Sequence, residues 1–399
     1  MKRPVTIVIM VTLLIAIPVM ANDLIFLALP NARVEFGADA AQIQLAVSAF
    51  ILTFAMVQLI YGPLSDHFGR RPVILATLAA YAAGAVLCAL AANVDYLVAA
   101  RILQAIGAGA APALARAILR DLYGAERSVR MLSYIMSYFG IIAVAAPLIG
   151  GGLTDYFGWR AVFYFSAIYG ALCFCLVFFL LDESAPQRDH GAGALFRVTR
   201  SFGLLLKSRH FMLLAVSNAM VYSAMFVWLA GLAFVLIDAL DQAASDAGMW
   251  FAVSVTGFAL GAFLGGRLTR TLAPLQAVLL GAAICLAASV TGSLIALFGE
   301  ITLWGLIVPG FFMMIGIGLT IPPATGAGIA PFPEMAGAAS SLIGFIQMGL
   351  SSLSVLAVGY LYDGTARPMM LEMAALTAIG LVIFIPLSGH LKTRILPRD

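Results

Sequence analysis

Two twelve-residue stretches of this chain follow one pattern, 89 positions apart. Gly62-Pro63-Leu64-Ser65-Asp66-His67-Phe68-Gly69-Arg70-Arg71-Pro72-Val73 and Gly151-Gly152-Leu153-Thr154-Asp155-Tyr156-Phe157-Gly158-Trp159-Arg160-Ala161-Val162 both read G-x-L-x-D-x-F-G-x-R-x-V. Gly266-Arg267-Leu268-Thr269-Arg270 and Gly359-Tyr360-Leu361-Tyr362-Asp363 repeat the G-x-L core, and every copy follows a long apolar run. Self-similarity at such intervals implies four related structural units, and the fold must repeat with them.

The apolar runs say where those units live. Of 399 residues 63% are hydrophobic and only 10% charged, with a mean hydropathy of +1.04, far outside the range of a soluble domain. A helix crosses a bilayer with roughly 20 apolar residues. Polar breaks fall at about 31–40, 63–72, 93–96, 120–130, 154–160, 183–209, 238–247, 267–274, 298–302, 327–336 and 362–368. Eleven breaks make twelve spans, three per unit, and no segment shows the strict alternation of a membrane β-barrel. The expected fold is an all-α membrane protein with twelve transmembrane helices in two six-helix bundles. Residues 1–182 form the first bundle, 183–209 a cytoplasmic linker, and 210–399 the second bundle with a short tail. The second, fifth, eighth and eleventh spans each precede one copy of the repeat, so equivalent helices of consecutive units leave on opposite faces. This is a 3+3 inverted repeat within each half, an arrangement that places a substrate site at the repeat interface.

Lys and Arg set the orientation. Eighteen lie at the N-terminus and in alternate breaks, among them Arg70, Arg71, Arg120, Arg197 and Arg267, against Arg33, Arg160 and Arg367 on the opposite side. That bias puts both termini and the 183–209 connection in the cytoplasm. The net charge of +3 is therefore a topology signal and gives no reason to expect nucleic acid. Lys2-Arg3, an apolar run and Val19-Met20-Ala21 imitate a cleavable signal peptide, but cleavage would leave an odd number of spans and break the four-unit repeat. Cys88, Cys173, Cys175 and Cys285 all fall in apolar runs, where free cysteine is a small hydrophobe. His67, His190, His210 and His390 all fall on the cytoplasmic side, leaving none for a metal ligand or relay at mid-membrane. No Walker A sequence and no soluble domain is present to hold nucleotide, so the chain reads as no enzyme, without cofactor or metal, and active transport would draw on an ion gradient.

Longer motifs resemble a known family. Gly62 to Arg71 is similar to the loop 2–3 signature of the major facilitator superfamily, Arg101-Ile102-Leu103-Gln104-Ala105-Ile106-Gly107-Ala108-Gly109 to its fourth-helix motif, and Ala146-Pro147-Leu148-Ile149-Gly150-Gly151 to the fifth-helix motif of its antiporters. Three further runs resemble the Bcr/CflA (bicyclomycin and chloramphenicol resistance) branch of drug:proton antiporters: Ala117 to Tyr123, Gly316 to Pro322 and Gly337 to Gln347. Ala146 stands where many antiporters have glycine, and no acid precedes Asp23 by a few turns as in some multidrug relatives. The resemblance implies proton-driven export of small amphipathic drugs, phenicols or other antibiotic-like compounds, across the bacterial inner membrane by a monomer. It further implies that Gly62, Asp66, Gly69, Arg70 and Asp121 form a conformational latch for the outward-facing state. An exporter of a small metabolite such as an amino acid or sugar is the alternative, and a non-transporting receptor or scaffold would have no need of the repeated motif.

The residues themselves narrow the chemistry. Asp23 is the one acid of 19 with long apolar sequence on both sides, and Glu372 is expected at the outer interface. A charge inside a bilayer costs roughly 2.5–3.5 kcal/mol on insertion scales, so such an acid is functional by default. Arg101, near the outer start of the fourth span, lies at a similar depth. The pair is expected either to couple protons or to form a purely structural bridge. Desolvation and a neighbouring guanidinium press on such a carboxyl in opposite senses, so a change in water access or substrate occupancy toggles its proton. In the loop, Gly62 and Gly69 are expected to shape a tight turn, Asp66 to approach the N-terminus of the eleventh span, and Arg70 to pair with Asp66 or Asp121. Pro147, Gly150 and Gly151, with Gly140 and Gly152, offer a smooth face for helix packing or a seal against proton leak. A drug cavity should be apolar with few polar handles. The candidates are Asn22, Phe50, Phe54, Gln58, Gln104, Tyr138, Asn218, Tyr222, Phe226 and Gln347, although aromatic stripes at this spacing also serve plain packing.

Overall fold

The computed structural model describes residues 4–184, 193–269 and 271–388. His190, His390, part of the 183–209 connection and the C-terminal tail lie outside the described residues. Twelve helices among the described residues are long and apolar enough to cross a membrane. They are α1 Val5–Phe36, α2 Ala40–Phe68, α3 Arg70–Ala89, α4 Val94–Gly124, α5 Tyr134–Phe157, α6 Arg160–Leu180, α7 Arg209–Ala239, α8 Ala244–Leu268, α9 Pro274–Phe298, α10 Leu303–Ile329, α11 Pro333–Leu361 and α12 Arg367–Pro386. The expected number of spans is met because hydropathy alone fixes where a chain can avoid water.

Polar caps close the helix ends. Asp39 and Gln42 form a capping box at the start of α2: the carboxylate accepts from the Gln42 N–H at 2.7 Å and the amide oxygen from the Asp39 N–H at 2.9 Å. Asn93 and Thr302 accept from the third helical N–H of α4 and α10 in the same way. The two full copies of the repeat also fold alike. Gly69 (φ 100°, ψ 152°) and Gly158 (φ 80°, ψ 165°) each join one span directly to the next through a left-handed φ that disfavours any side chain. The 183–209 connection contains its own helix, Gly193–Lys207, whose Leu205 is buried against Phe211, Leu342 and Ile343.

The chain divides into unit 1, Met1–Phe196 with Ala243–Ala252, and unit 2, Arg197–Gln242 with Val253–Asp399. In unit 1, α3 packs on α4 and α6, and α1 on α5; in unit 2, α9 packs on α10 and α12, and α7 on α11. These are the same neighbours six spans later, as a duplicated half requires. Small residues let the backbones meet: a Cβ on Gly107 of α4 would fall 2.2 Å from the Tyr81 nitrogen of α3. One on Gly281 of α9 would fall 2.7 Å from the Gly316 oxygen of α10.

Candidate functional site

The site in unit 1 begins with a break in α1. Helical structure stops at Asn22, turns through residues 23–25, tightens into a 3-10 segment at Phe26–Ala28 and resumes at Leu29–Phe36. Pro30, at the start of the resumed helix, leaves the Phe26 carbonyl without its helical donor as well. Irregular backbone at membrane depth survives only where protein or a cavity satisfies its polar groups. Here the Ser166 hydroxyl donates to the Met20 carbonyl at 3.1 Å and the Arg101 guanidinium to the Ala21 carbonyl at 2.8 Å.

Arg101 is wholly buried and holds three helices together. Its Nη2 donates to Asn22 Oδ1 at 2.7 Å, its Nη1 also to Gln104 Oε1 at 2.7 Å, and its Nε to the Ala46 carbonyl of α2 at 3.4 Å. The guanidinium lies 4.0 Å from the centre of the Phe50 ring, a cation-π contact in a dry environment. Asp23 does not form the expected ion pair with it. The acceptor is its neighbour Asn22, because the turn after Asn22 carries the next side chain elsewhere. The Asp23 N–H still donates to the Val19 carbonyl at 2.8 Å, while its partly buried carboxylate accepts no hydrogen bond among the described residues. Asp23 thus lies in a helix break, one residue from the partner of a buried cation, and without a hydrogen-bond partner among the described residues.

The cavity candidates separate by burial. Phe50 and Phe54 are buried, near-parallel and 6.2 Å apart, and Phe50 is the floor beneath Arg101. Gln104 is buried in the Arg101 cluster, and Gln58 is half-buried. Tyr138 lines an apolar cleft of about 660 Å³ with Thr12 and Leu13 of α1 and Tyr134 and Ile141 of α5. In unit 2, Asn218 is buried and donates to the Thr325 hydroxyl at 3.0 Å. Tyr222 packs against the buried Phe226 at 5.3 Å, and half-buried Gln347 accepts at its backbone carbonyl from Ser351. Glu372, the sixth residue of α12 reckoned from Arg367, is half-buried with one carboxylate oxygen that has no hydrogen-bond partner among the described residues.

In the 62–71 loop Arg70 meets the partners expected of it, and one glycine is corrected. Arg70 pairs with both Asp66 and Asp121, the latter at 3.1 Å. Gly69 makes the turn, but Gly62 lies within α2, and a Cβ there would meet nothing within 4 Å. The helix simply continues to Phe68. Sequence reasoning missed Glu183, which accepts from the Arg70 N–H at 2.9 Å and so supplies the acid that the first turn of α3 lacks. It also missed Glu35, which holds Trp159 Nε1 at 2.7 Å and Arg160 at 2.6 Å. In the fifth-span motif, Gly150 lies against the α1 break, where a Cβ would sit 2.5 Å from the Leu24 carbonyl oxygen, and Gly151 against Ala244. Gly140 and Gly152 face open space, and the Pro147 carbonyl approaches Gly248.

A family model described as the Major Facilitator Superfamily matches residues 11–355. The chain belongs to the Major Facilitator Superfamily. Its superfamily relatives include "Multidrug resistance protein D" of Escherichia coli (strain K12), 29% identical over 87% of this chain and 86% of that protein. The "Bicyclomycin resistance protein homolog" of Haemophilus influenzae is 26% identical over 90% of both chains. "Multidrug resistance protein MdtL" of Shigella dysenteriae is 32% identical over 83% and 82%. Among solved structures, a bacterial homologue of the human lysosomal transporter Spinster superposes with a TM-score of 0.79 at 18% identity, covering all of both chains. The nucleoside transporter NupG superposes with a TM-score of 0.77 at 14% identity, over 96% and 99%. These structures carry the superfamily fold, and the relatives' names agree with the Bcr/CflA-type motifs. The protein is a multi-pass membrane transporter.

Proposed function

We propose that this transporter is a proton-coupled antiporter that exports small amphipathic, antibiotic-like compounds, phenicols among them, across the bacterial inner membrane. It works as a monomer with both termini in the cytoplasm, takes no cofactor and draws its energy from the proton gradient. The observation that carries this reading is Asp23, an intramembrane carboxyl in a helix break, one residue from the group that binds the buried Arg101. Protonation there balances a step that the apolar cleft along α1 and α5 makes available to a substrate. That cleft offers Tyr134, Tyr138 and Thr12 as polar handles among aliphatic walls, which suits an amphipathic ligand better than an amino acid or a sugar. Relatives named for multidrug and bicyclomycin resistance support the substrate class.

Purified protein in weakly buffered detergent is expected to release protons when chloramphenicol or a similar amphipathic compound is added. Expression in an efflux-deficient bacterial host should raise the inhibitory concentration of the same compound. No proton release and no change in susceptibility across a panel of such compounds would remove this function, and release on addition of an amino acid or sugar would replace the substrate class.

A further inference from the structure

The helix Gly193–Lys207 shows two different faces. Leu205 is buried against Phe211, Leu342 and Ile343, with Phe202, Phe332 and Ala338 packed beside them, so the helix is seated where α7 and α11 begin. Leu204 and Leu206, on either side of it, are each 52% exposed, and Lys207 and Arg209 follow with exposed positive charge. α7 and α11 start on the same face, four spans apart. A helix lying across their starts is at the level of the lipid headgroups, where an amphipathic helix turns apolar side chains toward the acyl region and basic ones toward the phosphates.

Beside Leu204 a cavity of about 510 Å³ opens between this helix and the start of α11. Arg200 and Ser201 line it from the helix, and Glu334 and Met335 from α11. Arg200 and Glu334 are exposed and of opposite sign, and neither has an ion pair or a hydrogen bond among the described residues. Two such charges that flank one cavity without meeting suit an occupant that brings both partners, an anion for the guanidinium and a cation for the carboxylate. Leu204, Met335 and Ala338 add an aliphatic wall, which a small hydrophilic zwitterion would leave uncovered.

We propose that this cavity binds the headgroup of a phosphatidylethanolamine-type phospholipid, with its phosphate on Arg200, its primary ammonium on Glu334 and the root of an acyl chain along Leu204. The guanidinium fork matches two phosphate oxygens, and the ammonium has three donors for the carboxylate. An anionic lipid without an amine satisfies Arg200 but sets its phosphate against Glu334, so the pair of charges selects the zwitterion. Every residue involved belongs to unit 2, and the site stands whatever compound the transporter carries.

Full-length protein, purified in detergent and stripped of lipid, is titrated with phosphatidylethanolamine or with phosphatidylglycerol of the same acyl chains, and the first bound lipid is followed by native mass spectrometry. Phosphatidylethanolamine is expected to bind about tenfold more tightly, and Arg200→Ala to weaken it about tenfold, the size of one lost charge-assisted hydrogen bond. Glu334→Gln, which keeps the shape and removes the charge, should bring phosphatidylethanolamine down to the level of phosphatidylglycerol. Both side chains are exposed, so neither substitution disturbs a core. Equal affinity for the two lipids in the parent protein overturns the proposal, as does a preference that survives both substitutions. Displacement of the lipid by an equal concentration of free O-phosphoethanolamine overturns it as well, because the cavity would then serve a soluble zwitterion.

Discussion

Unit 1 buries a guanidinium where unit 2 buries an indole. Arg101 lies seven residues into α4, and its counterpart seven residues into α10 is Gly310. Arg101 reaches across to Ala21 and Asn22 of α1; at Gly310 the traffic runs the other way, and Trp228 of α7 fills the space that a Cβ would need. The difference follows from the first helix of each half. α1 is broken after Asn22 and offers carbonyls that need donors, whereas α7 is helical to Phe234 before a π turn at Val235–Ala239 and has none to spare there. Beyond the ring, unit 2 has neutral polar contacts inside it, such as Asn218 with Thr325 and Ser223 with Ser351. Among the described residues, a duplicated fold has thus kept its packing in both halves and a fully buried guanidinium in one.

The sharpest way to break this contrast is to neutralise the acids. Asp23→Asn is expected to abolish uphill, proton-driven export while leaving expression intact, because an amide of the same shape cannot exchange a proton. Glu372→Gln in unit 2 should leave proton-driven export within about twofold of the parent. Equal loss in both variants, read as substrate-induced proton release, would spread the coupling over two units and end the asymmetry.

A smaller effect is expected on stability. Arg101→Ala strands Asn22, Gln104 and the Ala21 carbonyl in a dry interior, and should cost on the order of 3 kcal/mol, seen as a lower midpoint of thermal unfolding in detergent. Arg101→Lys should recover only part of it, since a compact ammonium with three donors lacks the planar spread of N–H groups that reaches all four acceptors. Full recovery would mean that charge alone matters there.

The smallest change belongs to unit 2. Asn218→Ala removes one neutral hydrogen bond to Thr325 and is expected to cost about 1 kcal/mol. A thermal shift as large as that of Arg101→Ala would show that the neutral network carries as much of the fold as the charged one.

What could be read beforehand divides along physical lines. Twelve spans and a repeated half were legible because water avoidance acts on local composition. That Arg101 meets α1 beside Asp23 was legible from counting along each run. The partner was not, because the turn after Asn22 gives the guanidinium Asn22 in place of Asp23, a detail that hydropathy does not register. Glu183 was hidden for a different reason: it serves the N-termini of residues more than 110 positions away, and no periodicity connects a capping acid to a distant helix.

The break in α1 also has an electrostatic meaning. A helix that ends at Asn22 leaves its last carbonyls to find donors beyond the regular helix, and the end of a helix carries roughly half a negative charge. Arg101 is bonded to one of those carbonyls, so the peptide dipoles of α1 themselves serve as a fractional counter-ion. That compensation is fixed in the backbone and does not depend on the state of any acid. The guanidinium is therefore held by α1 through backbone and amide groups alone, and its anchorage asks nothing of the Asp23 carboxyl beside it.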